Sequence, residues 1–333
     1  MSARPRLLII KTSSLGDVVH ALPAVSDIIA AKPDWQIDWV CEEAFAGIPA
    51  LHPGVARVIP CAVRRWRISW WSEQSRREIA RLKMVLRESA YDLALDLQGL
   101  LKSAWIARQA RGERHGYDWG SAREPLATLV YDVRHAVAWK QHAIARNRQL
   151  AAAALDYKLD GAPRYGVVAA AAKDRVTRPY VVALHATSRA DKLWPDASWR
   201  KLFERLSGDG LRIVLPWGTP AEHERSERLA TGIGGATVPA PMAPPELASL
   251  FAAAQMVVGV DTGLLHLAAA VGAPALAIFA VTDPALTGVL GERAPALNLG
   301  GNGVVPDVDQ VQCAAEKLLA SGGEKPVAHP AST

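Results

Sequence analysis

The chain has 333 residues, of which 50% are hydrophobic and 21% charged, and its formal net charge is +5. This composition excludes a collagen-like or intrinsically disordered protein and predicts a soluble globular protein of about two domains. No apolar run approaches the roughly 18–20 residues that span a bilayer, and no signal peptide is recognisable. The cysteines Cys41, Cys61 and Cys313 form no C-x-x-C pair, which favours buried thiols and a cytoplasmic location.

The first predicted elements are a buried strand at Leu7–Ile10 and a helix from Val18, with a polar turn between them. The turn is formed by Lys11, Thr12, Ser13, Ser14, Gly16 and Asp17. A polar turn between a strand and a helix places backbone N–H groups and side chains where a ligand can bind. This turn is neither a G-x-G-x-x-G dinucleotide fingerprint nor a P-loop.

Apolar strand candidates alternate with helical stretches along the chain. In the front half the predicted strands are Leu7–Ile10, Ile37–Val40, Arg57–Pro60 and Leu93–Asp96. In the back half they are Tyr180–His185, Arg212–Pro216, Ala236–Val238, Val257–Val260 and Ala275–Phe279, with helices at Trp199–Ser207, Ala221–Ala230 and Pro245–Ala253. This alternation is typical of parallel sheets covered by helices on both faces, so we predict an α/β fold with two doubly wound, Rossmann-like domains.

We expect an N-terminal domain over residues 1–165 and a second domain over residues 166–305, because glycines, prolines and an alanine run interrupt the periodicity near Asp160–Arg178. A C-terminal helix is predicted at Val311–Ala320, within residues 306–320, and we consider that it packs back on the N-terminal domain. Residues 321–333 are predicted to be a disordered tail. Ligands of such sheets bind beyond the carboxyl ends of the strands, so the polar turns of the two domains are expected to face one another across a cleft.

A basic segment between Arg57 and Arg87 accounts for most of an uneven charge distribution. Residues 1–165 carry 24 Lys and Arg against 17 Asp and Glu, whereas residues 166–333 carry 14 against 16. Trp66, Trp70 and Trp71 are interleaved with the arginines. This combination fits an anionic, lipid-borne substrate at a membrane surface, although a solvated helix face and a nucleic-acid surface are alternatives.

Residues 257–274, VVGVDTGLLHLAAAVGAP, predict a buried strand, a tight polar turn and the start of a helix. Asp261, Thr262 and Gly263 form the turn, and His266 lies in the first helical turn. The free N–H groups and the dipole of the helix favour an anion such as a phosphate at this place. A plain helix cap made by Asp261 and Thr262 is the alternative.

Several strings along the chain resemble the lipopolysaccharide heptosyltransferases, which are ADP-heptose glycosyltransferases of GT-B fold. The strings are KTSSLGDVVHALPA, VIPCAVRRWR, LDLQGLLKSA, HGYDWGSAREPLA, LHATSRADKLWP, LPWGTPAEHERSERLA and VDTGLLHLAAAVGAP. KTSSLGD, RRWR and SAREPLA resemble the type I members of this family more than the type II members. The resemblance implies inverting transfer of L-glycero-D-manno-heptose from ADP-heptose to the Kdo of Kdo-lipid A, in lipopolysaccharide inner-core biosynthesis at the cytoplasmic face of the inner membrane.

Asp17 is the candidate general base, because an inverting displacement needs a carboxylate to take the proton of the attacking hydroxyl, and the resemblance places the catalytic aspartate here. A simple helix cap is the alternative for Asp17. The leaving ADP needs donors for its developing charge, and we assign Thr187, Ser188, Lys192, Thr262, Gly263 and His266 to it, with Lys192 counted as catalytic. The resemblance implies that Glu222 holds the ribose hydroxyls, Met242 lies near the adenine and Asp261 holds hydroxyls of the heptose.

The carboxylates and phosphates of the acceptor are expected to bind to cationic side chains. The charge pattern and the resemblance assign Arg64, Arg65, Arg67, Lys102 and Arg123 to them. Further acceptor contacts are expected close to Asp17, from Lys11, Thr12, Ser13, Ser14, Gly16 and Gln98. We expect structural roles for His20, His115, His142 and Trp119.

No metal ion or other cofactor is expected, because a lysine and a helix terminus can neutralise the diphosphate. The D-x-D string Asp307-Val308-Asp309 is better explained as the N-cap and first turn of the C-terminal helix. We expect a monomer that binds ADP-heptose and Kdo-lipid A, contacts an anionic membrane surface and binds no nucleic acid. A sugar-nucleotide epimerase of GT-B fold and, with less support, a basic nucleic-acid-binding protein are the alternatives.

Overall fold

The computed structural model describes residues 4–170 and 179–321. The chain divides into two compact units, Met1–Ala169 and Ala170–Thr333, so the boundary lies a few residues beyond the predicted one. Part of the predicted crossover, residues 171–178, and the predicted tail from residue 322 onward lie outside the described residues.

The first unit is built on a six-stranded parallel sheet. Its strands are β1 (Arg6–Ile10), β2 (Gln36–Glu42), β3 (Val55–Cys61), β4 (Ala90–Asp96), β5 (Arg111–Tyr117) and β6 (Val133–His135). Its helices are α1 (Leu15–Val19), α2 (Leu22–Ala31), α3 (Val63–Ser69), α4 (Glu73–Glu88), α5 (Leu101–Ala107) and α6 (Ala143–Leu155). Short 3-10 turns lie at Glu43–Phe45, Pro49–Leu51 and Pro125–Val130. The strands are hydrogen-bonded in the order β3-β2-β1-β4-β5-β6.

The second unit repeats this plan. Its strands are β7 (Tyr180–Leu184), β8 (Arg212–Val214), β9 (Ala236–Thr237), β10 (Met256–Val260), β11 (Ala275–Phe279) and β12 (Ala296–Gly300). Its helices are α7 (Asp196–Gly208), α8 (Pro220–Ala230), α9 (Pro244–Ala253), α10 (Gly263–Ala270), α11 (Pro284–Thr287) and α12 (Val308–Ser321), and a 3-10 turn lies at Ala190–Lys192. The strand order is β12-β11-β10-β7-β8-β9, and every pairing is parallel.

The central strands form because their apolar runs are covered on both faces. Residues Leu7–Ile10 of β1 have no exposed surface, and neither have Val257, Val258 and Val260 of β10. Continuous apolar runs of this kind are typical of parallel strands with helices on both sides. The α/β fold with two Rossmann-like units, predicted from these runs, is confirmed. None of the helices in the described part of the chain is both long and apolar enough to cross a bilayer.

Each sheet contains one point at which the strand order reverses. In the first unit the chain runs outward from β1 to β2 and β3 and then returns to β4, on the other side of β1. In the second unit the same reversal lies between β7 and β10. The connections that leave neighbouring strands diverge at such a point, which opens a crevice beyond their carboxyl ends. The turns predicted to bind ligands, after β1, β7 and β10, all lie at these points.

Three strands were not predicted from the sequence. The sequences RGERHGY of β5, VRH of β6 and ALNLG of β12 contain polar or glycine residues and leave much of their surface exposed. They lie toward the margins of their sheets, where one neighbouring strand can fix the backbone without a buried apolar run. Hydrophobic periodicity therefore carries little signal for them.

The helix after β1 begins earlier than predicted. Helix α1 begins at Leu15, with Ser14 as its N-cap, so Asp17 lies in its first turn and not in the turn before it. The reason is local. The backbone N–H of Ser14 donates to the Asp17 carboxylate at 3.0 Å, and this bond caps the amino end of the helix.

The C-terminal helix α12 packs on the sheet of the second unit, and its predicted packing on the N-terminal domain stays a prediction. Val311, Ala315 and Leu318 belong to the same buried cluster as Trp199 of α7 and Ile278 of β11. The backbone N–H of Gln310 donates to Asp307 at 2.8 Å, and Asp309 is paired with Arg205 at 2.7 Å. The D-x-D string thus caps the helix, as predicted.

Leu318→Ala is expected to destabilise the second unit by about 2–4 kcal/mol, because it opens a cavity in this cluster. Tryptophan fluorescence during urea unfolding measures the change, since Trp194 and Trp199 lie in the cluster. The exposed neighbour Lys317→Ala serves as control. Equal unfolding midpoints for the two variants would show that α12 does not stabilise this core.

Candidate active site

The turn after β1 is built around the carboxylate of Asp17. Its Oδ2 accepts hydrogen bonds from the backbone N–H and the hydroxyl of Ser14, both at 3.0 Å, and lies 3.6 Å from the Arg123 guanidinium. Burial alone would raise the pKa of Asp17, but the cations Lys11 and Arg123 and the Ser14 hydrogen bonds lower it below its usual range. The side chain keeps 24% of its surface exposed. Asp17 is therefore an ionised, accessible carboxylate at neutral pH.

Lys11 is a buried cation beneath this turn. Its ammonium group donates to the Leu97 carbonyl at 2.8 Å and to the Asn147 side-chain oxygen at 3.4 Å. Burial lowers the pKa of Lys11 below its usual range, and the Asp17 carboxylate opposes this shift without cancelling it. With 6% of its surface exposed, Lys11 acts on Asp17 as a fixed charge, so the predicted contact of Lys11 with an acceptor is not what this geometry offers.

Buried hydrogen bonds fix the backbone of this turn, and they join Thr12, Ser13 and Gln98. The Gln98 side-chain oxygen accepts from the backbone N–H and the hydroxyl of Thr12, at 2.7 and 2.8 Å, and its amide donates to the Ser13 carbonyl at 2.6 Å. Thr12 and Gln98 are buried. We expected these polar groups to contact an acceptor, but the structure pairs Thr12 and Gln98 with each other because their strands β1 and β4 are neighbours. The Ser13 hydroxyl accepts a 2.7 Å bond from Lys102, and Gly16 is buried in α1.

A buried network after β4 was missed by the sequence analysis. The Asp96 carboxylate accepts from the Tyr131 hydroxyl at 2.7 Å and from the backbone N–H groups of Gln98 and Gly99, at 2.8 and 3.2 Å. Burial raises the pKa of Asp96. The available signal was an aspartate at a strand end followed by Leu-Gln-Gly. Asp96 holds the connection that carries Gln98, so it supports the site without reaching solvent.

The predicted acceptor cations are not equivalent. Arg65 is paired with Glu43 at 3.1 Å and with Glu78 at 2.9 Å, and the pKa of Glu78 is lowered to about 2 by its hydrogen bonds from Trp66 and Arg65. Two carboxylates therefore already neutralise Arg65, and its predicted contact with an acceptor stays a prediction.

The other predicted cations remain available at the surface. Arg64 is exposed and lies over the Phe45 ring, 5.0 Å from its centre, and Arg67 is exposed as well. Burial lowers the pKa of Lys102, Glu42 raises it, and Arg64 and Arg67 lower it further. These interactions place three cations near one another at the carboxyl edge of the first sheet, with Arg123 beside Asp17.

In the second unit the turn after β10 is organised by Asp261. Its Oδ2 lies 2.6 Å from the Lys192 ammonium and accepts a 2.5 Å bond from the Thr282 hydroxyl, while its backbone carbonyl accepts a 3.0 Å bond from Thr187. Lys192 and Asp261, which the sequence analysis assigned to different parts of a ligand, are thus an ion pair here. Thr282 was missed, because it follows a strand that carries no other polar signal.

Helix α10 begins at Gly263, directly after its N-cap Thr262. Thr262 and Gly263 are half-buried, and His266 is buried in the first turn. The structure therefore brings Thr187, Lys192, Asp261 and the amino end of α10 together at one place, as predicted, and Ser188 lies exposed in the connection after β7. A helix amino terminus beside a lysine can bind an anion.

Glu222 lies in the first turn of α8 and accepts a 2.8 Å bond from the backbone N–H of Gly218. Trp217, in the same connection, donates to the Pro239 carbonyl at 2.9 Å and contacts the ring of His223 at a tilt of 51°, with centres 4.4 Å apart. Met242 is partly exposed a few residues farther along. Trp217 is a flat aromatic surface that the sequence analysis missed.

Among residues 4–170 and 179–321, no group of three His, Cys, Asp or Glu residues is arranged to hold a metal ion. The expectation of a metal-independent reaction stays a prediction. Of the residues expected to be structural, His115 bonds to His135 at 3.1 Å and to Glu113 at 2.9 Å, the rings of His20 and His142 are in edge contact, and Trp119 is exposed.

Comparison with known proteins identifies relatives over most of the chain. The profile of glycosyltransferase family 9 (heptosyltransferase) matches residues 79–318. Lipopolysaccharide heptosyltransferase 1 of Pseudomonas aeruginosa is 49% identical over 289 residues, which cover 86% of this chain and 81% of that protein. The protein of the same name from Escherichia coli K12 is 45% identical over 305 residues, which cover 88% of this chain and 95% of that protein.

Solved structures agree with these sequence relatives. Escherichia coli heptosyltransferase WaaC with ADP matches with a TM-score of 0.87 at 42% identity, over 94% of this chain and 99% of that one. The same enzyme with ADP-2-deoxy-2-fluoro heptose matches with a TM-score of 0.82 at 41% identity, over 95% and 98%. Escherichia coli ADP-heptose heptosyltransferase II, at 21% identity and a TM-score of 0.76, shares the fold. The predicted GT-B type of fold and the resemblance to heptosyltransferase I are confirmed.

Gly99→Ala is expected to destabilise the first unit by about 1–2 kcal/mol, because Gly99 has a φ of +67° and an added Cβ would lie 3.1 Å from the Tyr117 ring. Chemical denaturation measures the change. In the control Gly120→Ala the nearest atom to the new Cβ is 3.8 Å away, and we expect a change within about 0.5 kcal/mol. If both variants were equally stable, the connection after β4 would not need a glycine.

Proposed function

The chain belongs to glycosyltransferase family 9, the heptosyltransferases, and on this basis we propose that it transfers L-glycero-D-manno-heptose from ADP-heptose to the Kdo of Kdo-lipid A, with inversion at the anomeric carbon. The relatives named lipopolysaccharide heptosyltransferase 1 and the WaaC structures with ADP and an ADP-heptose analogue support this proposal. The observation that carries it is the ionised, partly exposed carboxylate of Asp17 at the reversal point of the first sheet.

Asp17 acts as the general base. The acceptor hydroxyl oxygen attacks the anomeric carbon, and the bond from that carbon to the diphosphate oxygen breaks on the opposite face. The hydroxyl proton passes to Asp17, and the electron pair of the broken bond leaves with ADP. Because its pKa is lowered, Asp17 is a weak base and takes the proton late, when the new glycosidic bond has made the hydroxyl proton acidic.

Lys192 and the amino end of α10 stabilise the leaving diphosphate. Lys192 is bonded to Asp261, and Thr282 donates to the same carboxylate oxygen. Asp261 therefore keeps a hydrogen bond when Lys192 turns to a phosphate oxygen. Thr187, Ser188, Thr262, Gly263 and His266 lie around this place, Asp261 is assigned to hydroxyls of the heptose, and Glu222 and Met242 are assigned to the ribose and the adenine. Charge neutralisation by a lysine and a helix terminus makes the reaction metal-independent.

The acceptor binds at the carboxyl edge of the first sheet. Lys102, Arg123, Arg64 and Arg67 are the cations that meet its carboxylates and phosphates. Trp70 and Trp71 are 66% and 63% exposed beside these arginines, and tryptophan with nearby cations favours the surface of an anionic membrane. We propose that the protein acts at the cytoplasmic face of the inner membrane, as a monomer.

Release of ADP from ADP-L-glycero-D-manno-heptose, measured in EDTA with and without Kdo-lipid A, tests the proposal. We expect release that requires the acceptor. Release without the acceptor would indicate a sugar-nucleotide epimerase or hydrolase, and release only after Mg²⁺ is restored would overturn the metal-independent mechanism.

Asp17→Asn is expected to lower kcat about 10²–10⁴-fold, because it removes the proton acceptor and keeps the shape of the side chain. Binding of ADP should be unchanged, since the assigned donor residues belong to the second unit. Turnover assays and calorimetric titration with ADP measure the two quantities. Near-normal turnover in this variant would exclude Asp17 as the base.

Arg123→Ala is expected to move the acid limb of the kcat/KM profile to higher pH. Arg123 is one of the cations that lower the pKa of Asp17, so without it the carboxylate takes up a proton, and stops acting as a base, at a higher pH. Arg67→Ala serves as control, because Arg67 is not among the groups that shift Asp17. A limb that stayed in place in Arg123→Ala would mean that it does not report Asp17.

A further inference from the structure

The carboxyl edge of the first sheet carries a second apolar surface, distinct from the tryptophans of the basic segment. It consists of Leu101, Leu126 and Leu129, which are 51%, 56% and 68% exposed, and we call it the leucine surface. Leu101 begins α5, in the connection after β4, and Leu126 and Leu129 lie in the 3-10 turn Pro125–Val130 that follows β5. A soluble surface rarely exposes several large aliphatic side chains together without a binding role.

The 3-10 turn presents its two leucines in one direction. Residues three apart in a 3-10 helix lie above one another, so Leu126 and Leu129 share its outer face. The inner face is buried, since Ala127 packs with Ala104 of α5 and with Tyr131. The leucines are therefore exposed because of the way the turn is anchored, and no rearrangement of the turn is needed to present them.

Hydrogen bonds fix this 3-10 turn to the neighbouring connections after β4 and β5. The Glu124 carboxylate accepts a 2.6 Å bond from the backbone N–H of Leu101, and the backbone N–H of Glu124 donates to the Gly99 carbonyl at 3.0 Å. Arg134 donates to the Thr128 carbonyl at 2.9 Å. All three leucines are thus held by the connections that carry Gln98 and Arg123, so the leucine surface has a fixed position relative to Asp17.

Cations border the leucine surface. Arg123 comes directly before Glu124 and lies 3.6 Å from Asp17, and Lys102 follows Leu101. On the other side of the turn after β1, the end of α3 exposes Ile68, Trp70 and Trp71. Apolar side chains bordered by cations on both sides of one turn suit an anionic interface, where aliphatic groups enter the acyl boundary and cations meet the headgroups.

We propose that the leucine surface inserts into the interface of an anionic bilayer, together with the end of α3, so that the membrane contacts this unit on both sides of Asp17. The proposal rests on the proposed function for the identity of the acceptor. A bilayer fits better than a protein partner, because three leucines form too small an apolar area for a stable protein interface, which buries about 800 Å² on each partner. Two-sided contact holds Asp17 at headgroup depth, where a lipid-borne sugar lies.

Binding to vesicles of phosphatidylethanolamine and phosphatidylglycerol, without any acceptor, tests the proposal. Sedimentation with the vesicles should give a partition coefficient at least about tenfold lower for Leu126→Ser/Leu129→Ser than for the unchanged protein. Leu101→Ser should lower it in the same direction. Met84→Ser serves as control, because Met84 is 52% exposed but lies beside Arg111, at the opposite edge of the sheet, and its partition should not change.

Turnover on a water-soluble Kdo acceptor without acyl chains separates this proposal from the proposed function. The double leucine variant should keep normal turnover on that acceptor and lose turnover on vesicle-borne Kdo-lipid A. Failure of the proposed function would appear as no turnover by the unchanged protein on either acceptor, while the vesicle measurement would still decide the leucine surface. Equal vesicle binding by the double variant and Met84→Ser would overturn the proposal, as would a self-association, seen by sedimentation equilibrium, that the leucine substitutions abolish.

Discussion

Both sites depend on the reversal of strand order within a parallel sheet. Because β1 lies between β2 and β4, and β7 lies beside β10, the connections leaving these neighbours turn to opposite sides and leave room above the strand ends. Backbone carbonyls and N–H groups at the strand ends remain available there, and short polar side chains can reach one another across adjacent strands. The bond between Gln98 and Thr12 and the bond between Thr187 and the Asp261 carbonyl each join two such neighbours.

In each unit a carboxylate at this edge has a lysine nearby, and the two pairs differ in a way that suits different tasks. Lys11 is buried and bonded to Leu97 and Asn147, so it influences Asp17 only through its charge. Lys192 makes a direct bond to Asp261 and retains 17% of its side-chain surface exposed. In the proposed mechanism the fixed lysine keeps the base ionised, and the accessible lysine exchanges the Asp261 carboxylate for a phosphate.

Much of the fold was predictable, because continuous apolar runs such as Leu7–Ile10 and Val257–Val260 indicate parallel strands that are buried on both faces. The positions of Asp17 and Lys192 beyond strand ends were predictable as well, since each follows such a run, and their roles stay predictions. The rest depends on partners distant in sequence. Arg65 meets Glu43 and Glu78, 22 and 13 residues away, and Thr282 meets Asp261, 21 residues before it. These pairs form only through tertiary packing. Counting charges along the sequence therefore overestimated the number of cations without a carboxylate partner, and nothing in the sequence indicated Thr282.

The double pairing of Arg65 has a consequence for the electric field of this face. The two carboxylates beside Arg65 offset its charge, so Arg65 adds little to the potential felt by an approaching anion. Among the cations proposed to bind the acceptor, Arg64, Arg67, Lys102 and Arg123 then supply the attraction, and ordinary salt weakens it, since exposed charges interact over only about 8–10 Å at physiological ionic strength. Arg65 thus holds α3, α4 and the connection after β2 together. The neighbouring cations determine how steeply the proposed binding of an anion declines as salt is added.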